Sequence, residues 1–318
     1  MKDKALNLTD LAAHFNDADS ARTFLEKQRW PDGVVCPHCG AIGTAYRLAP
    51  RESKKGKHVR QGVWKCGGCR EQFTVTVGTI FEDSHIPLHK WLLAFHLLCA
   101  SKKGMSAHQL HRMLGVTYKS AWFMAHRIRY AMSQPPLADK LKGTVEADET
   151  YIGGKRKNRG GRGRPGPESH KQPVFAVVQR GGMVRSWHVR RVTSETLTKL
   201  MCENAEASCR VMTDDYSAYD RLKANFASHE RVNHSSKEYV RDGDIHTNTI
   251  EGYFGLLKRG INGVYHQVGE QHLHRYLSEF DFRYNWRKIE DGDRTLIALK
   301  GADGKRLTLR EPGSKSAS

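Results

Sequence analysis

The chain has 318 residues and a formal net charge of +18. This length allows a sizeable core and more than one folded unit. The apolar run at residues 91–98 is far shorter than the roughly 20 residues that cross a bilayer, and the N-terminus lacks the apolar core of a signal peptide. A membrane protein is therefore excluded, a cytoplasmic protein is expected, and the positive charge favours a polyanionic partner, nucleic acid above all.

Residues 1–33 are predicted to be a helical segment. Leu11, Phe15, Ala21 and Leu25 are spaced as on one face of an amphipathic helix, which should end near Trp30. We assign no chemistry to this segment.

Four cysteines in two tight pairs predict a zinc ribbon over residues 34–80. The pairs are separated by 26 residues and consist of Cys36 with Cys39 and Cys66 with Cys69. Two such pairs are typical of a tetrahedral structural Zn²⁺ site. A disulfide is disfavoured in a reducing compartment, and a redox pair would not need two copies. Residues 50–60 form a basic loop between the pairs, and residues 72–77 alternate like a strand. The remaining cysteines are expected to be small buried side chains: Cys99, Cys202 and Cys209.

Residues 85–133 are predicted to form a helix-turn-helix-like DNA-binding unit. Helices are expected after Pro87, from Ser106 to Leu114, and after Thr117, which is placed as an N-cap. The last helix would enter a major groove through Tyr118 and its neighbours. A plain three-helix bundle would show the same apolar spacing, so DNA contact rests on the basic context.

The pattern changes to alternating strands and helices from residue 143. Residues 145–154 are predicted to be a strand that carries Asp148, and residues 174–178 and 184–189 a hairpin that turns at Gly181. Residues 155–164 contain six cations, no acid and three glycines, which suits an arm that meets phosphates or a solvated linker.

Two more carboxylates fall at positions that suit metal chemistry. A strand should end at Asp214, and Glu251 should begin an amphipathic helix that ends at Gly260. Together with Asp148 they are hard oxygen ligands that suit Mg²⁺ or Mn²⁺ in phosphoryl transfer. Lys258, seven residues after Glu251, would share its side of the helix and contact a phosphate. A solvated surface helix would show the same pair of charges.

The end of the chain is predicted to contain one more helix and a polar tail. Apolar residues from Leu273 to Tyr284 recur at helical spacing, so this helix should cover the core. We expect the catalytic domain to span residues 143–295 and the tail to span residues 296–318, with disorder from Gly301 onward.

These motifs resemble a known family. The carboxylates stand within Glu-x-Asp-Glu-Thr-Tyr-Ile-Gly-Gly at residues 146–154, Thr-Asp at 213–214 and His-Thr-Asn-Thr-Ile-Glu at 246–251, and Leu-Leu-Lys-Arg-Gly follows at 256–260. The order of ribbon, helical unit and acidic triad is similar to that of the bacterial insertion-sequence transposases of the ISXO2-like group, which carry a DDE triad. This resemblance covers nearly the whole chain.

The resemblance implies an α/β fold with a ribonuclease H-like catalytic core. It implies a DNA transposase that is nucleoid-associated, works as a homo-oligomer, cuts insertion-sequence ends and joins the freed 3′-hydroxyl to target DNA. By motif match Asp148, Asp214 and Glu251 would bind Mg²⁺ or Mn²⁺, and Lys258 would be the basic residue after the Glu. Several alternatives stay open for the ligands: Asp215, Glu146, Glu149 and Asn248. A zinc-ribbon regulator with an inactive core and a metal-dependent nuclease are the competing functions.

Overall fold

The chain forms two compact units in a computed structural model. It describes residues 17–52, 58–59, 61–133, 139–153, 171–232, 240–241 and 243–308, with Thr9, Ala13 and Phe15. The ribbon unit comprises Met1–Met132 and Ile289–Ser318, and the sheet unit comprises Ser133–Lys288. The predicted basic arm at residues 155–164, Leu11 and the tail beyond residue 308 lie outside the described residues. Within the described part of the chain, no helix combines the length and apolarity needed to cross a membrane.

The ribbon unit contains five helices and five short strands among its described residues. The helices are α1 (Ala18–Arg29), α2 (Leu88–Ala100), α3 (Ala107–Leu114), α4 (Tyr118–Ala131) and α8 (Asp291–Lys300). The strands are β1 (Ala45–Arg47), β2 (Arg51–Glu52), β3 (His58–Val59), β4 (Trp64–Cys66) and β5 (Gln72–Phe73). Strands β1, β4 and β5 form an antiparallel sheet in that order, and β2 pairs with β3.

The strand predicted at residues 72–77 ends at Phe73, so the prediction for residues 74–77 is wrong. Residues 75–78 form a turn, in which the hydroxyls of Thr74 and Thr76 are 2.8 Å apart. Arg29 donates to the carbonyls of Val75 and Val77 at 2.8 and 2.7 Å. These carbonyls are therefore satisfied by a side chain of α1 rather than by a neighbouring strand.

The predicted helices of residues 85–133 are present, and their ends follow local capping chemistry. Ser106 accepts from the Gln109 amide at the start of α3, and Thr117 accepts from the Ser120 amide at the start of α4. Gly115, between them, adopts the left-handed conformation with φ of 59°, which suits a residue without a Cβ. The two helices are thus joined by a three-residue connection.

The last helix belongs with the N-terminal half of the chain. We expected a catalytic domain to residue 295 and then a tail, but α8 lies in the ribbon unit and packs against α2. The buried Arg294 donates to the carbonyl of Cys99 at 3.1 Å, and Ala302 is buried just beyond the helix. Arg294 of α8 and its partner Cys99 are 195 residues apart in the chain. A local sequence pattern could not predict that α8 packs there.

The sheet unit is a five-stranded mixed sheet with helices packed on it. Its strands are β6 (Thr144–Ile152), β7 (Gln172–Gln179), β8 (Val184–His188), β9 (Arg210–Asp214) and β10 (Ser228–Val232). Its helices are α5 (Ser194–Asn204), α6 (Asn248–Gly260) and α7 (Leu273–Asn285). The strand order is β10-β9-β6-β7-β8. The first three strands in sequence are antiparallel neighbours, whereas β9 and β10 run parallel to β6.

Two hydrophobic cores lie on opposite faces of this sheet. One contains Val145 and Ala147 with residues of α5 and of the 3₁₀ helix Ser217–Ala224. The other contains Ile152 with apolar side chains of α6 and α7. Because successive side chains of a strand point to opposite faces, β6 divides its side chains between the two cores.

Candidate metal centres

The four predicted zinc ligands come together in the ribbon unit. The Sγ atoms of Cys36, Cys39, Cys66 and Cys69 all lie within 4.8 Å of one another, and no other set of three or more described side chains offers such a group. The Cys36–Cys69 and Cys39–Cys66 sulfur distances are 3.7 Å. Tetrahedral Zn–S bonds of about 2.3 Å would hold sulfurs about 3.8 Å apart, so the four thiols fit a zinc ion.

Backbone hydrogen bonds shape the turn that carries the second cysteine pair, Cys66 and Cys69. The amide of Arg70 donates to the Cys66 carbonyl at 3.2 Å and closes the turn, and Arg70 has a φ of 66°. Hydrogen bonds from the backbone amides of Cys69 and Gly68 lower the pKa of the Cys66 thiol to about 6. A thiolate is the form that binds Zn²⁺, so these amides favour the ligating state of Cys66, whereas burial and the neighbouring thiols raise the pKa of Cys69.

Asp148 and Asp214 lie on adjacent parallel strands at the same level. The register pairs Thr144 with Arg210 and Glu146 with Met212. Two residues further in this register, Asp148 of β6 stands beside Asp214 of β9. Both carboxylates are half-buried, and the Asp214 carboxylate accepts from the Tyr216 amide at 3.1 Å. Asp215 is exposed in the turn that follows.

The other two acids of β6 have different partners. Glu149 points to the face opposite Asp148 and accepts from the buried Tyr219 hydroxyl at 2.5 Å. Glu146 shares the face of Asp148, but it is fully buried and both of its oxygens are hydrogen-bonded within the protein. Of the two acids that β6 directs to the face packed against α6, Asp148 is therefore the more open.

Helix α6 presents Glu251 and Lys258 along one exposed side. Glu251 lies in its first turn and accepts from the Thr247 hydroxyl at 3.2 Å. Lys258 is seven residues later, about 10 Å along the axis and on the same side. Between them, a Cβ on Gly255 would touch only the Arg259 guanidinium, at 3.8 Å. The strip is thus flat and flanked by cations at its far end, and Arg259 is a cation that our sequence interpretation did not single out.

Glu146 links β6, which carries Asp148, to α6, which carries Glu251. Its carboxylate accepts from the amides of Thr249 and Ile250 at 2.8 and 3.0 Å, and it thereby caps the first turn of α6. It also accepts from the Thr249 hydroxyl at 2.8 Å and from Arg180 Nε at 2.6 Å. His246 Nδ1 is 3.3 Å from the same carboxylate. Sequence reasoning weighed Glu146 only as a metal ligand, because its partners lie far away in the chain.

The carboxylates repel one another. Burial, followed by the charges of Glu149, Asp214 and Glu251, raises the pKa of Asp148 to about 8. These groups are therefore close enough to interact, although they are not gathered as tightly as the four thiols. A divalent cation would offset this repulsion, and an all-oxygen donor set suits Mg²⁺ or Mn²⁺.

The geometry defines a class of protein: an α/β domain with carboxylates on two adjacent parallel strands and on a facing helix, joined to a Cys₄ ribbon. Comparison with known proteins agrees with this class. Residues 140–285 match the ISXO2-like transposase domain, and residues 16–72 match the transposase zinc-ribbon domain. A protein of transposable element ISH50 from Halobacterium salinarum is 31% identical over an alignment of 282 residues, and the match covers 83% of this chain and 89% of that protein. The chain belongs to the insertion-sequence transposases with a zinc ribbon and an ISXO2-like domain, which confirms the predicted family and its ribonuclease H-like α/β fold.

Two weaker matches are also found. A transposase-like protein of Haemophilus influenzae is 28% identical over 102 residues, which are 32% of this chain and 80% of that protein. Among solved structures, the Mos1 strand transfer complex is 12% identical with a TM-score of 0.21, and the match covers 68% of this chain and 79% of that one. That structural likeness is too low to carry an argument.

Proposed function

We propose that the chain is a DNA transposase that uses Mg²⁺ or Mn²⁺ bound by Asp148, Asp214 and Glu251. In the first step water attacks a phosphorus at the insertion-sequence end, and the P–O3′ bond breaks to leave a free 3′-hydroxyl. In the second step this hydroxyl attacks a target phosphorus, a new P–O bond forms, and the target 3′-oxygen leaves. The bound metal would lower the pKa of the attacking group and stabilise the leaving oxygen.

The observation that carries this proposal is the shared level of Asp148 and Asp214 on parallel strands, opposite the first turn of α6. The raised pKa of Asp148, caused by burial and then by the charges of the neighbouring acids, supports it further, because such a cluster of acids suits a cation. Family membership supports DNA as the substrate. We further propose that the chain acts as a homo-oligomer on paired DNA ends.

The neighbouring features have consistent roles in this proposal. Lys258 is exposed at the far end of the strip on α6, and there it would contact the DNA backbone. Zn²⁺ on the four thiols would stabilise the ribbon. The helix pair α3–α4 would contact the element end, with the exposed Tyr118 at the first position of α4.

The test uses duplexes with the ends of the element that encodes the chain, a target plasmid and Mg²⁺ or Mn²⁺. We expect wild type to give cut and joined products. We expect Asp148→Asn, Asp214→Asn and Glu251→Gln each to bind DNA but give neither product. Asp215→Asn is the matched control, since it removes an adjacent exposed acid and should retain activity.

Each other outcome has a definite meaning. Cutting without joining by wild type would indicate a nuclease. Binding without cutting by every protein would indicate a regulator. Loss of activity in Asp215→Asn, but not in Asp214→Asn, would reassign the second ligand.

A further inference from the structure

Arg180 connects β6 to the segment that leads into α6. It follows the last residue of β7, and its amide donates to the Thr144 carbonyl of β6 at 3.0 Å. Its guanidinium donates to the Glu146 carboxylate at 2.6 Å and to the carbonyls of Asp244 and His246 at 2.7 and 2.8 Å. It also lies 3.1 Å from His246 Nδ1. A guanidinium presents its donors in a fixed planar fork, whereas the ammonium of a lysine is a single point charge.

These contacts reach Glu251 through the first turn of α6. His246 precedes Thr247, the N-cap of α6. The Thr247 hydroxyl donates to the Glu251 carboxylate at 3.2 Å, and the Thr247 carbonyl accepts from the Glu251 amide at 3.1 Å. Glu146, which Arg180 holds, accepts from the two amides just before that of Glu251. Arg180 therefore restrains the turn that carries Glu251 both through the preceding segment and through β6.

The strand in these contacts is the one that carries Asp148. Asp148 lies two residues after Glu146 in β6, about 7 Å along the strand, and its side chain points to the same face. The bonds of Glu146 to α6 therefore set the separation between Asp148 and Glu251. Such precision matters for a metal centre, because ligands on different elements must be held to within about 0.5 Å of their places.

A second arginine holds the same segment to β9. Arg210 begins β9, the strand that ends at Asp214. Its guanidinium donates to the Glu230 carboxylate at 2.7 and 2.8 Å and to the Asp244 carboxylate. Residues 244–246 are therefore fixed to both strands that carry a proposed ligand, and they lead directly into the helix that carries the third.

Resting on the function proposed above, we infer that Arg180 is a positioning residue of the metal centre. It acts through Glu146 and His246. Because of these contacts, Glu251 stays opposite Asp148 at the separation that one divalent cation requires. An arginine that only stabilised the fold would lower the free energy of unfolding when replaced, but its loss would leave the affinity for the metal unchanged. The affinity for Mn²⁺ therefore separates the two roles.

The experiment measures Mn²⁺ binding to the zinc-loaded chain without DNA, from the electron paramagnetic resonance signal of free Mn²⁺. Arg180→Lys keeps a cation beside Glu146 but loses the fork. We expect its affinity for Mn²⁺ to fall about tenfold relative to wild type, as it does when a group that orients metal ligands is replaced. Glu146→Gln should also bind Mn²⁺ more weakly than wild type, because it loses the bond from Arg180. If Arg180→Lys does not fold, Glu146→Gln decides alone.

Arg185→Lys is the matched control. Arg185 is a buried arginine of β8 that donates to Asn204 of α5 at 2.9 Å and to the Asp139 carbonyl. Its cross-strand neighbour Val177 belongs to the core that contains α5, on the face of the sheet opposite α6. Arg185→Lys should lower the urea midpoint and leave the affinity for Mn²⁺ unchanged.

The other outcomes separate this inference from the proposed function. A wild-type affinity in Arg180→Lys and Glu146→Gln, together with weaker binding in Asp148→Asn, would overturn the positioning role and leave the metal centre intact. An equal loss of affinity in Arg180→Lys and Arg185→Lys would show a general effect of stability and would overturn the role as well. Equal binding by wild type and Asp148→Asn would remove the proposed metal centre and this inference with it.

Discussion

Substitution of Glu146 tests whether one buried carboxylate holds α6 against the sheet. Glu146 is fully buried, and one of its oxygens accepts from the Thr249 and Ile250 amides while the other accepts from Arg180. In Glu146→Gln the side-chain oxygen can still cap the two amides. Its NH₂ group, however, must face Arg180 Nε, which is also a donor.

The expected loss in the free energy of unfolding follows from these contacts. Glu146→Gln loses one charge-assisted hydrogen bond, about 1.5–3 kcal/mol. Glu146→Ala loses the helix cap as well, and we expect about 3 kcal/mol, the lower end for breaking a buried ion pair, since Arg180 keeps the carbonyls of Asp244 and His246. Glu203→Gln is the control, because its pair with Lys199 is exposed and spans 4.0 Å. It should change stability by less than about 0.5 kcal/mol.

Urea unfolding gives the free energies, and hydrogen exchange locates the effect. The amides of Thr249 and Ile250 should exchange faster in Glu146→Ala than in wild type, because they lose their acceptor. Glu146→Gln should keep most of their protection. If Glu146→Ala matched the Glu203→Gln control in stability and kept both amides protected, the proposed link between strand and helix would be refuted.

Three further predictions concern stability and metal content. Burial raises the pKa of Asp281 from 3.8 to about 7, so the folded state retains a proton that the unfolded state loses. Thermal stability should therefore fall as pH rises from about 4 to about 7, and Asp281→Asn should flatten this dependence; an unchanged slope would contradict it. Elemental analysis should find one equivalent of zinc in wild type and in Cys202→Ser but none in Cys66→Ser, and zinc retained in Cys66→Ser would contradict the Cys₄ site. Thr117→Ala should lower the free energy of unfolding by about 1 kcal/mol in a denaturant titration, and an unchanged midpoint would show that the cap is unimportant.

The sequence predicted those features of the fold that depend on residues close together in the chain. The caps of α3 and α4, the extent of β6 and the start of α6 follow from residues a few positions apart, and the structure has them close to the expected bounds. The Cys₄ group is similar, since ligand spacing alone indicated its chemistry. The roles of Asp148, Asp214, Glu251 and Lys258 remain predictions.

The features that the sequence did not predict depend on contacts between residues far apart in the chain. Strand β10 was missed because Ser228–Val232 is partly exposed on most of its residues and shows no alternation. The role of Glu146 depends on Thr249, 103 residues away, and on Arg180, 34 residues away. A carboxylate that caps a distant helix and one that binds metal look alike in sequence, because both are acids on a strand.

The central claim is that Asp148, Asp214 and Glu251 form one metal centre. Anomalous scattering from crystals grown with Mn²⁺ tests it most directly. We predict a manganese peak about 2.1 Å from oxygens of Asp148 and Asp214, with Glu251 as a third ligand, and no such peak in Asp148→Asn. A manganese ion bound by Glu149 or Asp215 instead, or a wild-type map without a peak at these carboxylates, would contradict the account.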